Sequence, residues 1–185
     1  MKTVIRLVLM IAVCLLLAQC TTDLLFWENA IEAGKAFLNT GDFSRAAEYF
    51  QIAFSKSGDE YEKSLSKAYE AWAKIGMGDL PAAQSLLNES MGYATNGVSN
   101  AGRLYALYFQ GDYAGLSQRS ADIYAIPSDF SLNLSGDTLT KTEIANFLML
   151  GLAAHNSKNT FINFKWTLDG IYSDPLIDEM EAFFF

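Results

Sequence analysis

The stretch GKAFLNTGDFSRAAEYFQIA, running from Gly34 to Ala53, reads as two helices joined by one tight turn. Gly41 permits the left-handed backbone that closes a helix, and Asp42 directly after it can cap the next one. Small residues at Gly34, Ala46 and Ala53 would let two helix axes approach closely. Phe37, Phe43 and Phe50 fill the space between them.

The same dipeptide returns at Gly78-Asp79 and Gly111-Asp112, 37 and 33 residues further on. Each copy is followed by a large apolar residue (Phe43, Leu80, Tyr113) and, three positions later, by a packing residue (Ala46, Ala83, Leu116). A fixed period of this length marks a repeat architecture, in which every unit buries its apolar face against a neighbour. The three copies resemble tetratricopeptide (TPR) repeats. Gly34, Phe37, Gly41, Phe43, Ala46, Phe50 and Ala53 follow that family's packing pattern, the second copy keeps Ala71, Gly78, Leu80, Ala83, Leu87 and Ser90, and the third keeps Gly111, Tyr113 and Leu116. The resemblance implies an all-α fold of antiparallel helix pairs, stacked as a short right-handed TPR-like solenoid with a C-terminal capping segment.

Working outward, the expected pairs are Leu24 to Thr40 with Phe43 to Ser55, Tyr61 to Ile75 with Leu80 to Met91, and Asn100 to Phe109 with Tyr113 to Tyr124. Tyr61, Leu65, Ala68, Tyr69, Trp72 and Ile75 recur at helical spacing, and no sustained two-residue alternation competes with it. Pro127 ends the third pair. Ser128 to Leu139 reads as a polar connection with a turn at Ser135-Gly136-Asp137. A divergent fourth pair follows: Thr140 or Thr142 can cap a helix from Lys141 to His155, and Glu143, three residues after Thr140, can complete a capping box with it. Asn156 to Asn159 turns the chain into a stripe of Phe161, Phe164, Leu168 and Ile171. After Asp174-Pro175, Leu176 to Phe185 reads as the cap, with part of Phe183-Phe184-Phe185 packed inward.

The N-terminus carries an address. Lys2 and Arg6 precede an unbroken apolar run from Leu7 to Ala18, too short to span a bilayer and suited to a secretory h-region. Leu17-Ala18-Gln19-Cys20 resembles the bacterial lipobox, with Gln19 where that pattern has Gly, Ala or Ser. The resemblance implies cleavage before Cys20 and lipidation of its thiol. Cys14 lies inside the apolar run, so the processed chain has no second thiol for a disulfide. Thr21 follows Cys20 where some sorting systems place a retention Asp, which points to the outer membrane, facing the periplasm. The expected organisation is therefore a lipoprotein signal peptide at 1–19, the lipidated cysteine and tether at 20–26, TPR-like repeats at 27–126, a connecting loop at 127–139, and the divergent pair with its cap at 140–185.

Composition bounds the function. The 185 residues are 51% hydrophobic and 18% charged with a net charge of −8, which excludes a disordered chain and, lacking a basic block, makes nucleic acid an unfit partner. His155 is the one histidine, so neither a His-based triad nor a zinc cage can be assembled around partners, and its place near a helix end suits the negative end of the dipole. Asp129, Ser131, Asn133, Ser135 and Asp137 alternate like calcium ligands, but Leu134 and Thr140 occupy the positions an EF-hand gives to Gly and Glu. No cofactor or metal is expected, and no enzyme.

What remains is surface recognition. TPR geometry puts the first helix of each pair on the concave face, which nominates Ile31, Lys35 and Leu38, then Leu65, Ala68, Trp72 and Ile75, then Ala101, Tyr105, Tyr108 and Phe109. The partner-binding groove expected from these is Lys35, Leu38, Trp72, Ile75, Tyr105, Tyr108 and Phe109, unless the Ser128 to Leu139 connection or the C-terminal segment covers its aromatics. The expected function is a non-enzymatic envelope scaffold or adaptor that binds another envelope protein or peptide segment and holds the membrane through its N-terminal lipid. The alternative is a periplasmic accessory that holds a small apolar ligand for a transport system, resembling the helical-repeat lipoproteins associated with TRAP-type transporters.

Overall fold

Three turns of this chain share one backbone geometry. Gly41, Gly78 and Gly111 have φ of 78°, 77° and 70°. The following aspartates sit at φ −82°, −86° and −81° with ψ 67°, 68° and 69°. Each Asp N–H donates five residues back, to the carbonyls of Phe37 (2.9 Å), Lys74 (2.9 Å) and Leu107 (3.1 Å). Each carboxylate in turn accepts from the N–H three residues ahead, on Arg45, Ala82 and Gly115. One residue thus closes the preceding helix and caps the next, and such a cap contributes about 1 kcal/mol.

The turns join α1 (Trp27–Asn39) to α2 (Phe43–Lys56), α3 (Glu60–Gly76) to α4 (Leu80–Tyr93), and α5 (Gly97–Gln110) to α6 (Tyr113–Arg119). A 3₁₀ helix (Ser120–Ala125), strands β1 (Ser131–Leu134) and β2 (Asp137–Thr140), and helices α7 (Lys141–Ala154) and α8 (Lys158–Leu168) complete the order. The computed structural model describes residues 26–155 and 158–168. The signal-like segment 1–19, Cys20, the tether up to residue 25 and the expected cap at Leu176 to Phe185 lie outside the described residues, as do Ile171 and Asp174-Pro175.

Among the described residues the molecule is mostly helical, with consecutive helices packed as pairs and one small two-stranded sheet. The first helices α1, α3 and α5, continued by α7, touch one another in a row. Close approach within and between pairs rests on glycines that receive a large side chain: a Cβ on Gly34 would overlap the Phe50 ring, and one on Gly76 would overlap the Phe43 ring. Phe50, Trp72, Leu87, Leu104, Leu116, Ile144, Leu148 and Phe161 are fully buried along this stack. Each such side chain contributes about 1.5–3 kcal/mol through the apolar surface it removes from water.

One seam of the core is polar. Ser64, Ser90, Ser99 and Asn96 are all buried where α3, α4 and α5 meet. The Asn96 amide donates to Ser64 Oγ at 2.6 Å, Ser90 Oγ lies 2.5 Å from Ser99 Oγ, and Ser64 Oγ donates to the Ala94 carbonyl at 2.6 Å. Because every hydroxyl has a partner, burial does not leave an unmatched polar group.

Two expectations need correction. The connection at 127–139 is not a plain loop: Ser131 to Thr140 forms a β-hairpin, in the register Leu132 opposite Leu139 and Leu134 opposite Asp137. Ser135 (φ 55°) and Gly136 (φ 89°) supply the two left-handed residues of its tight turn. The alternation is only four residues per strand, too short to stand out against the helical periodicity, and Leu132 and Leu139 mark its buried face. The second correction concerns Tyr113 to Tyr124, where α6 stops at Arg119. There Ser120 Oγ bonds back to the Ser117 carbonyl at 2.8 Å, and the chain tightens into the 3₁₀ helix before Pro127. The expected capping box is present, with the Thr140 N–H donating to Glu143 Oε2 at 2.8 Å.

Candidate functional site

The hairpin decides what becomes of the groove. β1 packs against α1 and β2 against α7, so the hairpin lies along one flank of the row of first helices. Its tip is tied down where the Ser135 N–H donates to the Leu38 carbonyl at 3.0 Å. Between this tip and the helices a cleft of ≈ 480 Å³ remains, lined by Phe43, Ile75, Leu80, Tyr105 and Phe109 from the helices and by Leu134 from the hairpin.

An aromatic cluster forms the wall of the cleft on the α5 side. The Tyr105 ring lies 5.3 Å from that of Trp72 and 4.4 Å from that of Phe109. Phe147 of α7 closes the cluster, 5.3 Å from Tyr105, 5.0 Å from Tyr108 and 5.4 Å from Phe109. Phe109 is nonetheless 49% exposed. Burial raises the pKa of the Tyr105 phenol above its ordinary value, because the ionised form would lose hydration there. An exposed aromatic backed by half-buried ones can accept an apolar group without reorganising its support.

The seven groove residues therefore divide. Ile75, Tyr105 and Phe109 come together in the cleft, and Tyr108 buttresses it from behind Phe109. Trp72 does not line a groove: it is fully buried, and its indole N–H donates to the Val98 carbonyl at 3.1 Å. Leu38 is likewise buried in the core, as are Ile31, Ala68 and Ala101. Packing in the core uses these positions up. Lys35 lies elsewhere, in a separate recess of ≈ 330 Å³ between α1, Tyr69 and β1. Its ammonium is 2.8 Å from Glu32 and 5.1 Å from the Tyr69 ring centre.

Phe147 and Leu134 went unnamed in the sequence reading. Phe147 sits in a helix whose apolar residues run almost all the way round, which blurs its exposed and buried faces. Leu134 could have been found through the Ser135-Gly136 hairpin signal. Of the residues suggestive of calcium binding, Asp129 precedes the hairpin and Ser131, Asn133, Ser135 and Asp137 belong to it, where Thr138 Oγ1 donates to Asn133 Oδ1 at 2.9 Å across the strands. Among the described residues no three His, Cys, Asp or Glu side chains gather as a metal site would need. His155 ends α7, exposed, with its N–H on the Gly151 carbonyl at 2.9 Å. No family model, curated protein or solved structure matches the chain.

Proposed function

We propose that this chain is a non-enzymatic, lipid-anchored adaptor of the bacterial cell envelope, a short TPR-like solenoid that binds a segment of another envelope protein. An apolar or aromatic side chain of that segment enters the cleft at Tyr105, Phe109 and Leu134. The observation that carries this reading is Phe109, a large aromatic left half in water while the rings of Tyr105, Tyr108 and Phe147 pack against it. The lipobox-like Leu17-Ala18-Gln19-Cys20 supports attachment through Cys20 in the outer membrane, facing the periplasm, and the three Gly-Asp turns support the repeat reading.

A second reading has its own support. The cleft's ≈ 480 Å³ falls within the range of small-molecule pockets, so a small apolar ligand held for a transport system would also fit. A photo-crosslinking benzoylphenylalanine at position 109, with one at Tyr61 as an exposed control, separates the two in detergent-solubilised envelope. One protein captured from position 109 and not from position 61 supports the adaptor. Equal capture at both positions overturns it, and a co-purifying small molecule seen by native mass spectrometry without protein capture moves the function to ligand holding.

A further inference from the structure

α5 carries a second feature on its opposite side. Tyr105 and Phe109 face the aromatic cleft, whereas Arg103 and Leu107 face a separate recess of ≈ 260 Å³ bordered by Gln84 and Asn88 of α4 and by Asp112, Gly115, Gln118 and Arg119 at α6. Arg45, Arg103 and Arg119 are the arginines among the described residues, and two of them meet here in a chain of net charge −8. The Arg103 side chain is only 12% exposed. Among the described residues it makes one ionic contact, Nη1 to Asp122 Oδ2 at 3.5 Å, too long for a strong hydrogen bond, and Asp122 Oδ2 itself is buried without a hydrogen-bond partner. Burial, and then the neighbouring Arg119 charge, work against the Arg103 cation, and Asp122 offsets them only in part. A guanidinium in that position, lining a polar recess, has unused planar donors.

We propose that this recess binds a carboxylate group, with Arg103 and Arg119 as its cationic walls and the carboxamides of Gln84, Asn88 and Gln118 as neutral donors around it. A carboxylate fits better than a phosphate. Its plane matches the guanidinium fork. Each carboxylate group carries a single charge and so tolerates Asp112 at the rim, whose carboxylate caps α6, where a phosphate with two charges on one group would be repelled. The recess is smaller than the usual pocket for a whole cofactor, so it holds a small organic acid or the end of a peptide chain. This site is independent of the aromatic cleft.

The test is calorimetric titration of the full chain in detergent at matched ionic strength, using succinate, inorganic phosphate, and one peptide with a free or an amidated C-terminus. Saturable binding of succinate assigns the site to small organic acids. Binding of the free-acid peptide but not its amide assigns it to chain ends. In either case Arg119→Gln, at an exposed position, and Arg103→Lys, which keeps the charge and removes the fork, each weaken binding at least about tenfold, with circular dichroism showing both variants folded. Absence of saturable binding by either carboxylate, equal binding of acid and amide peptides, unchanged affinity in both variants, or phosphate binding tighter than succinate overturns the proposal.

Discussion

The Ser135 N–H donates to the Leu38 carbonyl at 3.0 Å, which fastens the tip of the β-hairpin to the last turn of α1 across nearly a hundred residues of chain. Leu38 is fully buried and its carbonyl, at a helix end, also accepts from the Gly41 N–H at 3.2 Å, so it serves the Gly-Asp turn and the hairpin at once. The hairpin thus adds a second donor to the end of α1 while forming one side of the aromatic cleft.

Gly136→Val should loosen this arrangement. A β-branched residue at φ 89° is strained by about 1–3 kcal/mol. Hydrogen exchange is expected to speed up from Leu132 to Leu139 and at Ser135, while α3 and α4 keep their protection. Uniform loss of protection across all helices would instead mean that the hairpin is part of one cooperative unit with the stack.

The three Gly-Asp turns predict a graded series. Ala at Gly78 or Gly111 meets open space, so each substitution should cost only the left-handed penalty of about 1–2 kcal/mol. Gly41→Ala should cost more, because its Cβ would also lie 3.0 Å from Ser135 Oγ. Urea midpoints of the three variants check the order.

Gly34→Ala and Gly92→Ala should differ in sign. A Cβ at position 34 collides with the Phe50 ring in the core, and overpacking of this kind costs about 1–3 kcal/mol. At position 92, inside α4 with nothing nearby, the methyl should stabilise by about 0.4–1 kcal/mol by restricting the unfolded chain. Thermal melts of both variants read this directly.

Alkaline pH should weaken the fold. Burial raises the phenol pKa values of Tyr69 and Tyr105 above 10.0, and at Tyr69 the nearby Lys35 ammonium opposes the effect without overcoming it. Their stabilising contribution is whole below pH 10.0, where both states are neutral, and is lost as pH rises through the folded-state values, since the unfolded chain ionises first. Phenolate absorbance should show two tyrosines titrating above pH 10.0, and the denaturation midpoint should fall over the same range. A midpoint that rises with pH there would contradict the burial of these phenols.

Removing the Ser90 hydroxyl tests the polar seam. Ser90→Ala would leave Ser64 and Ser99 with a lost partner in a buried site, at a cost of about 1–3 kcal/mol. Ser90→Ala as stable as the parent would mean that the seam rearranges around the gap.

The helix pairs were legible because their signals are local. A glycine that tolerates positive φ and an aspartate that caps the next helix act within a few residues of each other, so Gly41-Asp42, Gly78-Asp79 and Gly111-Asp112 announced their turns, and Thr140 with Glu143 announced the start of α7. The sequence by itself determined these turns, the helices between them and the small residues on which they pack. It also nominated Tyr105, Phe109 and Ile75 for the cleft, but it could not separate them from Trp72 and Leu38, since all five lie on the first helices of their pairs. Whether a large side chain on such a helix meets water or protein depends on a segment far along the chain. Only the tertiary structure decided that Trp72 would be enclosed and its indole bonded to Val98, that Phe147 would arrive from α7 behind Phe109, and that the hairpin would lie against α1. The physical reason is that burial is a property of contacts between distant residues, whereas turn and cap chemistry is complete within one turn of helix.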